Sequence, residues 1–500
     1  MTTSGKTIAK NAGALFSSQV FTWVLTLIVT IALPRYLGAD VIGQFYLAGA
    51  VWGLVGVLVT FGMDTHLIKA IARAPETAGE LLGTSIVLRF LLFAIGCVGV
   101  AIYLRAFGHS PSTIITVVII GVSQFLMLPN TAVLSALQGL EVMEYVSLAS
   151  VVSRVINTSL CLLFVFLGFG VYAVAGVGVV TTAISLAIML VALYRRCKIR
   201  LRVNLAEGWA LLRASAPYLV VSITLVSYLQ INALVIASVI DTRSVSWYTT
   251  ANTLYGTLLF VPTVLATALF PSMSRSHAAG DKQDSLAKLV HRGVDLLLLL
   301  SLPMSAGIVV VANNLVTMLY GQEFAPTGLV LGIMALGLPF TFLNILFANT
   351  LIAADRPHTW SKVMIVSTGV MFLLAVTLVP WSERALGEGA VGGALGFLLT
   401  EMMMTIIGVF LLPRGLLAWS NVRALALTAI ASIVMAVVCW PLRNMLPPIP
   451  ILAGIGSFVV MVAVLRIVPP EDLRFLQDLG RQLWRRIRPG PKTAVSVSGR

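Results

Sequence analysis

Long runs without charge constrain this chain more than any other feature. Fourteen stretches of about eighteen residues or more carry few or no charged side chains: 12–33, 45–63, 83–104, 113–134, 147–168, 172–193, 216–240, 247–271, 293–313, 327–352, 361–380, 389–412, 424–441 and 449–467. Runs of that length match the hydrocarbon thickness of a bilayer when coiled as helices. Lipid leaves no water for an open backbone group, so each run must close its own hydrogen bonds as a helix. An outer-membrane barrel would need strands of alternating apolar and polar residues, and these runs are apolar throughout. Only 10% of the 500 residues are charged against 58% hydrophobic, far from the quarter or so of charged residues typical of soluble domains. The expected fold is an all-α polytopic membrane protein with about fourteen transmembrane helices.

The first run is too long for a signal-peptide core, lacks a convincing small-residue cleavage site and is followed by further spans. It reads as a retained helix. The net charge of +14 raises the question of nucleic acid, but the positive-inside rule accounts for it. With the N-terminus in the cytoplasm, the outside loops hold only Arg35, Arg105, Arg243, Arg384 and Arg443. Arg89 and Arg154 fall within spans, and the remaining 26 of the 33 Lys and Arg are cytoplasmic. The expectation is a multi-pass protein of the cytoplasmic membrane with both termini inside and no nucleic-acid partner. The four cysteines, Cys97, Cys161, Cys197 and Cys439, have no metal-ligand or paired spacing, and no cofactor is expected.

A repeat organises the runs. The turn "ADVIGQFYLA" (39–48) lies over "TRSVSWYTTA" (242–251), placing Phe45 over Tyr248 and Ala48 over Ala251. The stretch at 134–156 matches 349–370 in pattern, and "YAVAGVGVVTT" (172–182) matches "GAVGGALGFLL" (389–399), so partners stay 203 to 217 residues apart. Each copy holds six spans, an even number, so the copies share one orientation and a pseudo-twofold along the membrane normal relates them. Parallel repeats of this kind are a transporter architecture. The expected organisation is an N-lobe of spans 1–6 (1–194), a basic cytoplasmic linker (195–215), a C-lobe of spans 7–12 (216–412) and two extra spans (413–468). Residues 469–500 complete it, with Leu473, Leu476, Leu483, Ile487 and Trp484 on one face of an amphipathic helix, followed by a disordered tail.

Fourteen spans, the six-plus-six repeat, "PRYLGADVIGQF" after span 1 and "FGMDTHLIKAIAR" (61–73) closing span 2 together resemble the polysaccharide-transporter, or Wzx-type flippase, branch of the MOP exporter superfamily. The resemblance implies two six-helix lobes around a V-shaped cavity. It also implies transfer of a polyprenyl-diphosphate-linked oligosaccharide from the inner to the outer leaflet. Polysaccharide polymerase and chain-length machinery would be neighbours in such a pathway, and membrane lipids surround it. The lipid II flippase branch carries an Arg–Asp pair within span 1, whereas "NAGALFSSQVFTWVLTLIVTIAL" here has no charge. A MATE-type cation-coupled drug exporter and, after it, a lipid II flippase are the alternatives. The N-lobe acids Asp64, Glu141 and Glu144 lie near the cytoplasmic ends of spans.

Moving a diphosphate and its sugars through hydrocarbon requires groups that replace water. Arg89 and Arg154, the basic residues well inside spans, are candidates for phosphate, since a guanidinium suits it well. Snorkelling to the headgroups is the plainer reading of each. Gln19 on span 1, and Gln230 with Asn232 on span 7, stand on the first helices of the two repeats and are candidates for sugar hydroxyls. Interhelical hydrogen bonding is the plainer reading there. Asn344 and Asn349 on span 10 are weaker versions. Glu401, mid-way along span 12, and Asp64 are candidates for ion coupling, against a buried structural carboxyl and a solvated helix end. Pro262, Pro303 and Pro339 mark bends in spans 8, 9 and 10. Neither a P-loop nor a DxD motif occurs, and the outside loops are short. The chain therefore reads as a transporter rather than an enzyme, with proton, sodium or membrane potential open as its driving force.

Overall fold

The computed structural model describes residues 25–197, 201–278, 284–413 and 415–467. Gln19 and the expected amphipathic helix after residue 469 lie outside them. Every regular element among the described residues is helical. The chain runs up and down between two ends. The turn end carries the 1–2 turn at Gly38, and the linker end carries the connection at 201–207.

In the first half these helices are α1 (Leu25–Leu37), α2 (Ala39–Thr60), α3 (Met63–Arg73), α4 (Ala78–Ala106), α5 (Pro111–Gly139), α6 (Met143–Phe166) and α7 (Val171–Val191). The second half holds α8 (Gly208–Val239), α9 (Thr242–Leu258), α10 (Phe260–Ala278), α11 (Asp284–Tyr320), α12 (Ala325–Ala335), α13 (Leu338–Ala353), α14 (Pro357–Leu386) and α15 (Gly389–Leu411). Two more, α16 (Trp419–Cys439) and α17 (Pro448–Val464), follow, with α16 packed on α11 and α17 on α16. Among the described residues eleven helical segments are long and apolar enough to span a membrane, or twelve when the bent pair α12–α13 counts as one. The count differs from the fourteen expected from sequence for a physical reason. Only the last part of the first run falls in described residues, and α17 is shorter than eighteen residues. The outer surface is apolar, with Ile95, Ile102, Phe166, Phe410 and Val437 all exposed. A water-soluble monomer rarely displays so wide an apolar surface, and this is a multi-pass membrane protein.

Local chemistry explains the breaks in the spans. Phe61 and Gly62 both take positive φ (51° and 70°), which separates α2 from α3 within one long span. The break at 336–337 turns α13 by 49° from α12, and Pro339 stands in the first turn of α13, where a missing N–H is tolerated. Pro262 likewise follows the interruption between α9 and α10 at Leu259. Pro303 lies inside the continuous α11.

The two halves touch along α2, which packs against α8 and α9 for much of its length. The closest approach is at the turn end, and it joins the two echoing turns. A Cβ built on Gly43 would fall 1.8 Å from the Thr242 carbonyl oxygen. Only glycine lets two helix starts approach so closely. Around it Arg35 Nη1 donates to the carbonyls of Met318 (2.7 Å) and Leu319 (3.1 Å), and Trp247 Nε1 donates to the Glu323 carbonyl at 3.1 Å. At the linker end a Cβ on Gly62 would meet Leu219 N at 2.5 Å and the Ser215 carbonyl at 2.8 Å. There Lys69 on α3 donates to the Tyr218 hydroxyl at 3.2 Å. Contacts therefore bridge the halves at both ends.

The 201–207 connection is pinned rather than free. Arg202 N donates to the Gly79 carbonyl at 3.0 Å, Asn204 Nδ2 donates to Glu80 at 2.6 Å, and Asn204 N donates to the Thr84 hydroxyl at 3.0 Å. These bonds fix the start of α8 on the start of α4.

Candidate translocation site

Two polar clusters and one interface carry the chemistry. The first cluster ties together α3, α4 and α5. Arg89 on α4 is 0% exposed, and its Nη2 donates to Asp64 Oδ1 at 2.8 Å. Its Nη1 donates to the Thr131 hydroxyl at 2.6 Å and, at 3.4 Å, to the Leu128 carbonyl. Ser135 Oγ donates to the same Asp64 Oδ1 at 3.0 Å. Arg89 Nε is buried with no acceptor. Asp64 comes from the first turn of α3, just past the Phe61–Gly62 break. It remains 36% exposed and forms the open side of the cluster.

The second cluster lies within the C-terminal half. Glu401, 4% exposed, accepts from the Tyr228 hydroxyl on α8 at 2.5 Å and from Asn344 Nδ2 on α13 at 2.8 Å. Thr405 closes the ring by donating to Asn344 Oδ1 at 3.0 Å. Beside it the Tyr255 and Thr341 hydroxyls are 2.6 Å apart, and Asn232 Nδ2 donates to the Tyr248 hydroxyl at 2.8 Å. Among the described residues no cation lies within ion-pair distance of Glu401. Its side-chain oxygens meet hydroxyl and amide donors.

The interface holds Gln230. Its amide lies against α2, where a Cβ on Gly53 would sit 3.5 Å from Gln230 Nε2. Arg154 is half-buried on α6, between Ser153, which bonds α7 through the Thr181 carbonyl, and Thr158, which bonds α1 through the Leu25 carbonyl. Neither Gln230 nor Arg154 makes a hydrogen bond or ion pair among the described residues. Outside the spans, burial and, second, the nearby Glu383 raise the Glu388 carboxyl above its ordinary value.

These positions set the candidate residues in their surroundings. Asn232 and Gln230, two residues apart, point about 200° apart around the helix. Asn232 turns into the C-terminal half while Gln230 turns to α2. Arg89 is not an open cation in this state, because Asp64 already occupies it. Asp64 is more than a solvated helix end, because it closes that pair. Asn344 serves Glu401, and Asn349 Nδ2 bonds its own helix at the Ile345 carbonyl. Tyr228, Thr131, Ser135 and the Gly43–Thr242 contact were not singled out from sequence. The one available signal was Gly43 itself, within the repeated turn.

This arrangement of long, broken, apolar helices has the fold of the MOP superfamily. The lipid II flippase MurJ in its inward closed conformation matches with a TM-score of 0.71, over 90% of this chain and 98% of that one, at 14% identity. An inward-facing multidrug-resistance MATE-family transporter of the MOP superfamily matches with 0.62, over 81% and 95%, at 16% identity. The polysaccharide biosynthesis protein family model matches residues 8–277, and the chain belongs to that family, in its Wzx-type MOP-superfamily branch. A MatE family model matches residues 217–377. The probable flippase AglR of Haloferax volcanii is 23% identical over 469 residues, 88% of this chain and 90% of its own length. The probable low-salt glycan biosynthesis flippase Agl15 of the same organism is 22% identical over 460 residues, 90% of this chain and 92% of its own.

Proposed function

We propose that this chain is a flippase for a lipid-linked glycan. Its substrate is a polyprenyl-diphosphate-linked oligosaccharide, carried from the inner to the outer leaflet of the cytoplasmic membrane for cell-surface or exopolysaccharide synthesis. The observation that carries this reading is the family match over 8–277, joined by near full-length similarity to two proteins named as probable flippases. Two six-helix lobes, with fourteen spans in all and both termini cytoplasmic, would alternate access to a cavity between them. The line of contact between α2 and α8–α9 supports that motion, since it is the seam along which such lobes part. A polymerase and chain-length machinery are the partners that would consume the product.

Within this reading Gln230, on the seam, offers an amide to sugar hydroxyls, and Arg154 offers a cation to phosphate. Arg154→Ala is expected to lower the initial flipping rate by about tenfold, the worth of one charge-assisted hydrogen bond, with unchanged membrane insertion. An unaltered rate in reconstituted vesicles would remove Arg154 from the path. The test of the reading itself is glycan exposure on the far leaflet of proteoliposomes. The MatE match over 217–377 favours one alternative, cation-coupled drug export. Dye efflux without glycan flipping would establish that reading instead.

A further inference from the structure

The Arg89 fork is half filled. A guanidinium presents two parallel N–H donors, Nε and one Nη, to an anion with two oxygens side by side. Here Asp64 fills only the Nη2 position, at 2.8 Å, and through a single oxygen that it shares with Ser135 at 3.0 Å. Nε is buried and has no acceptor. Leaving a buried donor of a charged group unpaired is costly, so the pair is not the best partnership this arginine can make. The Thr131 hydroxyl at 2.6 Å holds the other side of the guanidinium and fixes its direction. Asp64 is the exposed member of the pair.

We propose that Arg89 binds a phosphate of the diphosphate ester and that Asp64 occupies the fork as an internal competitor until the substrate displaces it. This rests on the flippase reading for the identity of the anion. A phosphate offers two oxygens to Nε and Nη2, and the Ser135 hydroxyl supports the competing carboxylate. Displaced Asp64 is not stranded. It stands in the first turn of α3, where the helix N-terminus favours a negative charge.

The exchange has a mechanical consequence. Asp64 is the ion-pair tie from α3 to α4, and α3 follows the Phe61–Gly62 break and carries Lys69 against Tyr218 of α8. Substrate arrival would untie α3 at the linker-end contact between the halves, and departure would retie it.

The test is binding of inorganic pyrophosphate and of farnesyl diphosphate to the purified full chain in nanodiscs, by calorimetry. Asp64→Asn keeps the size but removes the competing charge, and it is expected to bind both probes about tenfold more tightly than the unaltered chain. Ser135→Ala, a milder change, is expected to tighten binding about twofold to threefold. Arg89→Gln is expected to lose binding. Equal or weaker binding by folded Asp64→Asn and Ser135→Ala would overturn the proposal. So would full pyrophosphate binding by Arg89→Gln. Tightening that requires phosphatidylglycerol in the nanodisc, with no response to pyrophosphate, would assign the fork to a phospholipid headgroup and also overturn it. A chain that flips glycans normally yet shows no Asp64 effect would sink this inference alone. A chain that flips none would sink the reading beneath it.

Discussion

Gly43→Ala should slow glycan flipping by about tenfold or more while leaving the chain inserted and helical. The added methyl carbon would lie 1.8 Å from the Thr242 carbonyl oxygen and 2.6 Å from its carbon. Both are backbone atoms, so no side chain can rotate away to make room. The starts of α2 and α9 must separate by more than an ångström, which disturbs the Arg35 and Trp247 contacts beside them. Displacements of that size routinely cost tenfold to a hundredfold in function, and a loss of about tenfold or more is expected here. Gly49 on the same helix is the control, because nothing lies within 4 Å of its position. Gly49→Ala should retain the rate within about twofold, and alanine should favour the helix by about 0.5–1 kcal/mol. Equal flipping by both variants would show that the turn-end contact plays no part in the cycle.

The second large effect concerns stability. Glu401→Leu removes the acceptor of Tyr228 and one of the two acceptors of Asn344, whose amide still reaches the Glu401 backbone carbonyl at 3.1 Å. A buried hydroxyl left unpaired costs about 1–3 kcal/mol, and membrane hydrogen bonds sit toward the low end of such values. A loss near 1 kcal/mol is therefore expected. Glu401→Gln keeps an oxygen for Tyr228 and should fall between. Adding Tyr228→Phe to Glu401→Leu should recover part of the loss, since no orphaned hydroxyl remains. The measurement is the thermal midpoint in detergent. A Glu401→Leu chain as stable as the original would mean that the cluster does not hold α8, α13 and α15 together.

What the sequence disclosed follows from the range of the interactions. Lipid imposes its constraint locally, run by run, so the all-helical, multi-pass character was plain in the charge-free stretches. The echo of 39–48 in 242–251 was legible as well, and those two turns meet at Gly43 and Thr242. The partnerships were not legible. Asp64 meets Arg89 across 25 positions and Tyr228 meets Glu401 across 173, and nothing in one chain's residue pattern links such pairs. Both intramembrane arginines looked alike in sequence, yet one is paired and fully buried while the other has no described partner. Helical geometry alone separates Asn232 from Gln230 by about 200°. Tyr228 escaped notice because an isolated tyrosine in an apolar helix gives no sign of what its hydroxyl will reach.

The central claim is that the chain moves a polyprenyl-diphosphate-linked glycan between leaflets. The direct measurement places that lipid in one leaflet of proteoliposomes and follows its exposure on the other, with and without a pH gradient. Exposure that depends on the protein is the predicted result, whether or not protons accelerate it. No exposure across several glycans, with cationic dye efflux against protons or sodium in the same vesicles, would contradict the account and identify a drug exporter.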